Sequence, residues 1–492
     1  AVLYSNVSTT GVNALSETVT EITGTVSEAT TCLTKVTVVF DRGTGSELSS
    51  ALYDKPSSTE KFLAWSQDIG GLAEGPHTMV VLTEDGAGNS NAESAATVSL
   101  SIDRTAPVVT ASDIGNIYRN ASFVISGASS DPCKNGAAGS GLASIMASVD
   151  GGTAESVADS SGKGDLSAWS YDLEGLFNSL SEGSHTVAFT AKDRAGHQSG
   201  AAVSFVKDKV APTASFGGIS ASGGTVLNET VSALTGTLGD ATSGLLASSC
   251  TISIDGGAAQ SLGFTVVGAA SQDWNYDIAS LPEGSHTVTI AAQDRAGNSY
   301  ASAAVPFVID RTAPTVGASD AGGSYWNRGY TVTGTSADSA SGVLSVLASV
   351  DGGTAVAVAD SSSTKDLGTW TYDLGFASLA EGPHKMVFTA RDRAGHQATA
   401  SVAFIKDTLA PTVSFDKISL TDNSILNESV LAITGSVADS TSGLDSMVAK
   451  LDGGLPQSLG SPDGAKNQTF NFDISGLVDG SHTIELRAQD RA

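Results

Sequence analysis

Histidine and aspartate are the residues of this chain whose types and spacing could do chemistry. Seven histidines occur, and five of them share one repeated position: His77, His185, His286, His384 and His482. His197 and His396 share another, where they replace the Asn of a recurring D-x-A-G-N loop. Histidine is the usual general acid or base. A side chain that returns in every unit serves the architecture, however, and no Ser-His-Asp or Cys-His arrangement survives that accounting. The chain is expected not to be an enzyme, with no catalytic residue.

Carboxylates make the stronger constellation. Asp103, Asp208, Asp310 and Asp407 stand in linkers. Asp131, Asp240, Asp338 and Asp439 open a second set of loops, and Asp193, Asp294, Asp392 and Asp490 open the D-x-A-G loops. Three carboxylates brought to one place repel unless a cation lies between them. Calcium suits such a set, because it takes six to eight oxygens in flexible geometry. A second reading stands beside it. Asp in these loops caps a turn whose Gly and Asn take positive φ, and a linker Asp pairs with its neighbouring Arg, as in Asp103–Arg104. The spacing is not the dense D-x-D-x-D-G of an EF-hand loop.

Whether the three sets meet depends on the elements that carry them, and these repeat. One phrase recurs: EGPHTMVVLTEDGAGN from Glu74, EGSHTVAFTAKDRAGH from Glu182, EGSHTVTIAAQDRAGN from Glu283, EGPHKMVFTARDRAGH from Glu381 and DGSHTIELRAQDRA from Asp479. Linkers follow the first four: SIDRTAP, VKDKVAP, VIDRTAP and IKDTLAP. The period of about 100 residues is the size of an immunoglobulin-like sandwich. Five domains follow, at 1–103, 104–208, 209–310, 311–407 and 408–492. A longer period lies on top. Domains two and four share ASVDGGTA and DRAGH, domains three and five share LNE and AQDRA, and domain one resembles the odd type.

Each unit reads as about seven short strands with no helix pattern. In domain three, residues 229–237 alternate apolar and polar, as a half-buried strand does. Asp255-Gly256-Gly257 signals a tight hairpin. Trp65, Trp169, Trp274 and Trp370 share one position, filled by Phe470 in domain five, and are expected in the cores. Trp326 has no counterpart in domain two and is a candidate surface contact. Lys207 and Lys406 fill a strand position held elsewhere by Ile102 and Ile309. No acid that would complete an isopeptide cross-link is identified for them. Ala492 stops inside the last loop, so domain five is expected to lack its final strand.

The D-x-T-A-P linker, the internal Trp, the L-x-x-G-x-H turn and the D-x-A-G-N loop together resemble the bacterial Ig-like domains of large surface adhesins and biofilm proteins, over essentially the whole chain. The resemblance implies an all-β tandem array of antiparallel sandwiches. In such a sandwich the chain enters at the pole that carries the B–C and F–G loops. Asp208, Asp240 and Asp294 are then expected to converge at one joint, Asp310, Asp338 and Asp392 at the next, and Asp407, Asp439 and Asp490 at the last. The first joint has Asp103, Asp131 and Asp193, with an insertion, DPCKNGAAGSG, in its B–C loop. Adhesins of this kind bind calcium at domain joints, so the resemblance strengthens the calcium reading. The expected function is a cell-surface stalk, its joints stiffened by calcium and its partners the other domains of a longer chain. Five sandwiches would extend about 180–200 Å. The alternative is a structural subunit of an extracellular filament, sheath or surface layer, with identical chains as partners.

Composition narrows the partners. The formal charge of −27 comes from 52 acidic and 25 basic residues. Phosphate binding needs clustered Lys and Arg, so nucleic acid is not an expected partner. No run of 18 apolar residues suggests a membrane span, and no signal peptide is read at Ala1. Cys32, Cys133 and Cys250 fall in three different domains, so disulfides within a domain are not the stabilising device.

Overall fold

The computed structural model describes the chain except residues 43–47, 56–58, 113, 320–324 and 419–423, and except the side chains of 48–50. Strands dominate. Among the described residues, α-helix is confined to one turn, Glu174–Phe177. Among the described residues every sheet is built from strands of one repeat, and none crosses a linker.

Domain three shows the plan. One sheet pairs strand A (Thr213–Gly217), strand B (Ala233–Gly239) and strand E (Ser271–Asp277) in the order A–B–E. The other runs A′ (Thr225–Leu227), G (Val305–Ile309), F (Gly284–Gln293), C (Thr251–Ile254) and C′ (Gln260–Ser261). A′ is parallel to G, and the other pairings are antiparallel. Two such sheets packed face to face form an immunoglobulin-like sandwich. Domains two and four differ by one short strand each, Ala158–Asp159 and Ala359–Asp360, which joins the A–B–E sheet beside strand E. In domain five the second sheet comprises C′ (Gln457–Ser458), C (Leu444–Leu451) and F (Ile484–Asp490).

Alternation decides which side chains enter the core. In strand F of domain three His286, Val288, Ile290 and Ala292 point inward, with Ser285, Thr287 and Thr289 on the other face. Trp65, Trp169, Trp274, Trp370 and Phe470 are all buried. Each stands opposite a strand-B glycine in register: Gly24, Gly127, Gly236, Gly334 and Gly435. The ring lies on that glycine. A Cβ on Gly236 would come within 2.0 Å of the Ser215 carbonyl oxygen and 2.5 Å of the Trp274 ring. Trp326 is no surface contact. It is buried between Tyr330 and Phe404, with ring centroids at 4.9 and 4.3 Å.

The repeated histidine is a staple. His286 Nδ1 meets Asp255 Oδ2 at 2.8 Å and Nε2 meets the Pro282 carbonyl at 2.9 Å. Asp255 has φ of 52°, in the left-handed region of the D-G-G hairpin, and its Oδ1 accepts the Thr287 N–H. The same Asp–His pair recurs in all five domains, from Asp41–His77 to Asp452–His482. It ties the C–C′ hairpin to the start of strand F. The Lys207 and Lys406 ammoniums donate to the Leu180 and Leu379 carbonyls, beside Glu182 and Glu381. In odd domains Arg104 and Arg311 hold the matching turn, donating to Leu72 and Leu281 carbonyls.

Candidate metal centre

Four joints lie between successive sandwiches, and three loops reach each one. The linker follows strand G, whose last residue fixes where the next Asp stands. Asp208 N–H is tied to the Arg119 carbonyl and Asp310 N–H to the Leu227 carbonyl. The E–F turn glutamate of the preceding domain then pins the linker. Glu182 accepts the Lys209 N–H, and Glu283 accepts the Arg311 N–H. Glu74 and Glu381 do the same for Arg104 and Thr408. Sequence reading placed these glutamates in the repeated turn without giving them a role.

At the second-to-third joint, Asp208, Asp240 and Asp294 come together. They are 0, 4 and 1% exposed, and one carboxylate oxygen of each lies within 4.8 Å of the others. Asp208 Oδ1 accepts the Val210 N–H and Oδ2 the Ser243 N–H. Asp240 Oδ1 accepts the Ser243 and Gly244 amides, and Asp294 Oδ1 those of Gly297 and Asn298. Asn298 Nδ2 donates to Asp294 Oδ2 and to the Asp208 carbonyl. Burial, joined by the Asp208 and Asp294 charges, raises the Asp240 carboxyl above its usual range. The last joint repeats the set with Asp407, Asp439 and Asp490. There burial, with the charges of Asp407 and Asp439, raises Asp490. Both sequence readings thus describe the same atoms. Each Asp forms a turn, and the turns aim three carboxylates at one point.

The other two joints differ. The gathered groups are Asp103, Asp193 and His197 at the first, and Asp310, Asp392 and His396 at the third. Asp131 and Asp338, expected in these sets, are not in those trios. Asp338 Oδ1 accepts the Ser341 and Gly342 amides. Asp131 Oδ2 accepts the Gly141 N–H, while its Oδ1 is buried without a hydrogen-bond partner. Burial, then the Asp103 and Asp193 charges, push Asp131 up to about 6. The histidine takes the place of Asn298 and does the same local work. His197 Nδ1 meets Asp193 Oδ2 at 2.9 Å, and His396 Nδ1 meets Asp392 Oδ2 at 2.9 Å.

The donor sets decide what could be held. The second and fourth joints offer carboxylate oxygens alone, the chemistry of a hard cation such as calcium. The first and third add an imidazole, which is already bonded at both nitrogens. Each histidine in the two repeated positions is hydrogen-bonded at both ring nitrogens. Domain one lacks the B–C aspartate. Its Glu28 accepts the Ala29 and Thr30 amides instead.

Comparisons place these loops in known company. A model of the bacterial Ig-like domain matches residues 230–311, and a model of the group 3 bacterial Ig-like domain matches residues 368–457. No curated protein matches the chain. Among solved structures, a tetra-tandem repeat from the extending region of a large adhesion protein is 21% identical, with a TM-score of 0.30. That match covers 83% of this chain and 99% of the other. A structure of a 1.5-MDa bacterial ice-binding adhesin is 19% identical, covers 62% of this chain and 99% of its own, and has a TM-score of 0.25. Cadherin domains 3–6 of protocadherin gamma B2 are 14% identical, with coverages of 83 and 100% and a TM-score of 0.27. Scores this low carry no functional argument. Residues 230–311 and 368–457 thus match bacterial Ig-like domains, and the same sandwich plan recurs in all five repeats, so the chain is a tandem array of Ig-like sandwiches.

Proposed function

We propose that this chain is a non-catalytic, extracellular stalk of a bacterial surface adhesin, whose joints are stiffened by bound calcium. The observation that carries the reading is the buried trio Asp208, Asp240 and Asp294, drawn from a linker and two loops of the following domain. A joint is where a spacer bends, and a like-charged cluster there weakens the joint unless compensated. At 4 Å two unit charges interact by about 4 kcal/mol for an effective dielectric near 20. A divalent cation turns that repulsion into a clasp between linker and domain. Asp208, Asp240 and Asp294 would hold it at the second joint, and Asp407, Asp439 and Asp490 at the fourth. What the ion supplies is charge compensation and a fixed interdomain angle.

The test is removal of calcium from the whole chain by a chelator, read by calorimetry and small-angle scattering. Binding to the folded joint alone adds about 2.7 kcal/mol at a hundredfold excess over the dissociation constant. Chelation is expected to lower melting temperatures and shorten the scattering length. If neither moves, the aspartates are turn formers only, and proline in the linkers supplies the stiffness.

A further inference from the structure

The two-domain superperiod has a structural counterpart at the joints. An imidazole–carboxylate contact crosses the first and third joints, while at the fourth Arg491 turns to Asp463 of its own domain and Asn327 donates to the Ala492 carbonyl. At the first joint His197 Nε2 meets Glu17 Oε2 of domain one at 2.5 Å. At the third, His396 Nε2 meets Glu229 Oε2 of domain three at 2.6 Å. Glu17 and Glu229 stand two residues after the parallel strand, which ends at Leu15 and Leu227, at the distal pole of odd domains. Even domains carry Ala121 and Arg328 there. The second joint has no histidine. Arg295 of domain three lies over the ring of Tyr118 of domain two, 4.0 Å from its centroid, and donates to the Tyr118 hydroxyl at 2.6 Å. Asn116 completes this joint by donating to the Arg295 carbonyl.

We propose that an imidazole–carboxylate latch marks the odd-to-even joints, that the second joint is closed instead by a guanidinium–phenol contact, and that these residues determine which domain type follows which. The inference rests on the stalk reading, since it names the residues that set the joints of that stalk.

The argument is complementarity. His197 faces a carboxylate at each nitrogen, Asp193 on its own loop and Glu17 across the joint. A carboxylate only accepts, so the contact with Glu17 draws on a ring N–H at Nε2. Asn298, at the same place in domain three, satisfies its own aspartate with the single amide it has and then binds the linker carbonyl. It offers nothing to a glutamate across the joint. An odd domain followed by an odd domain would therefore leave Glu17 or Glu229 without its imidazole partner. The distal pole of domain two presents the Tyr118 ring instead, which takes the flat Arg295 guanidinium by cation–π contact. A mismatch at either joint removes an attraction from the pair, which is how specificity is set between similar surfaces.

The experiment uses the full chain with a biotin–streptavidin mark at the N-terminus, so that each joint is identified in single-molecule images and its bending angle measured. The variants are Glu17→Gln with Glu229→Gln, His197→Asn with His396→Asn, and Tyr118→Ala. The first pair is expected to raise the bent population about two- to fivefold at joints one and three, the size of an exposed ion pair, and to leave joints two and four as they were. The asparagine pair keeps the loop bond that Asn298 makes, so it should give the same two loosened joints with unchanged melting. Tyr118→Ala should loosen joint two alone. Uniform loosening of all joints overturns the proposal. So does unchanged bending at joints one and three, or a melting loss in the asparagine pair with bending unchanged. The same images taken with chelator separate the two readings. Joints that loosen on chelation but not in the glutamine pair reject the latch and keep the calcium stalk.

Discussion

In domains two and three the rings of Trp169 and Trp274 lie over Gly127 and Gly236 in the same register, whereas the poles that meet the preceding domain carry His197 in one and Asn298 in the other. The core therefore repeats with each domain and the pole with every second one. The difference locates the longer period. It belongs to the contacts between domains, because the interior obeys one steric rule throughout. Glycine stands under the ring in all five domains, and even the change from Trp to Phe470 leaves Gly435 with a ring carbon 2.7 Å from where its Cβ would be. Two constraints of different range are thus written on one chain. The shorter comes from packing inside each sandwich and the longer from recognition at its ends.

Breaking the core should have the largest effect and should stay inside one domain. Gly236→Ala places a methyl against the Trp274 ring and the Ser215 carbonyl, where neither can withdraw freely. Overpacking of this kind costs about 1–3 kcal/mol. In calorimetry of the chain, the transition of domain three should move down while that of domain five stays. An unaltered profile would mean that the ring can leave the glycine, and the claim of a uniform core would fail.

Changing the pole should have an intermediate effect whose sign depends on the cation. In Asp240→Asn the side-chain oxygen that accepts the Ser243 and Gly244 amides is retained, while the charge that meets Asp208 and Asp294 is removed. Without calcium the variant is expected to melt at or above the parent, since one buried like charge is gone. With calcium in excess it should melt below the parent, because a ligand is lost. The gap between the two conditions should shrink by up to about 2.7 kcal/mol at a hundredfold excess over the parent's dissociation constant. A variant that loses stability equally in both buffers would show that Asp240 serves the turn alone.

The sequence made the fold readable because it repeats. Five copies of the alternating strand and the internal ring, and four of the D-G-G hairpin, leave little choice of sandwich. The joint was readable as far as Asp208, Asp240 and Asp294, since linker and loops share a pole in this architecture. At the first and third joints the gathered trio includes a histidine that the reading of the carboxylates had not placed there, while Asp131 still feels the Asp103 and Asp193 charges. The signal was present in His197 and His396. Both stand as substitutions of the loop asparagine, Glu229 lies in the LNE phrase shared by domains three and five, and Glu17 carries no signal of its own. Their partnership spans 180 residues in one case and 167 in the other. No local pattern reveals a contact of that kind. Two coincident alternations, Glu in one domain type and His in the other, could have suggested it. Trp326 was misjudged for the opposite reason. A residue without a counterpart looked like a surface feature, but it fills the core place of Leu227 in domain three, which the parallel pairing with strand G makes clear.

The smallest expected effect concerns the staple that odd and even domains share, and it checks that the alternation stops short of it. In domain four the bond with Asp351 and the Ala380 carbonyl outweighs burial, which acts the other way, and His384 ends above its ordinary value. In domain five the bond with Asp452 raises His482. The partners move the opposite way, since the same bonds hold Asp351 and Asp452 below the usual carboxylate range. For the raised histidines the stability contribution is fully present below the unfolded value near 6.5 and is lost as pH rises through the higher folded value. For the lowered aspartates it is present above about 3.8 and is lost as pH falls through the depressed folded value. Both contributions are complete together between about pH 4 and 6.5. Domains four and five should therefore show the same shallow plateau in unfolding experiments run from pH 3 to 8. The decline on each side should be slight, because the Asp351 and Asp452 side chains are 46 and 47% exposed and solvent screens the pairs. Asp351→Asn with Asp452→Asn should flatten the profile in both domains, and imidazole titration by NMR should find His384 and His482 above 6.5 in the parent only. A plateau in one domain type and none in the other would extend the alternation from the poles into the sandwich and undo the division between core and joint.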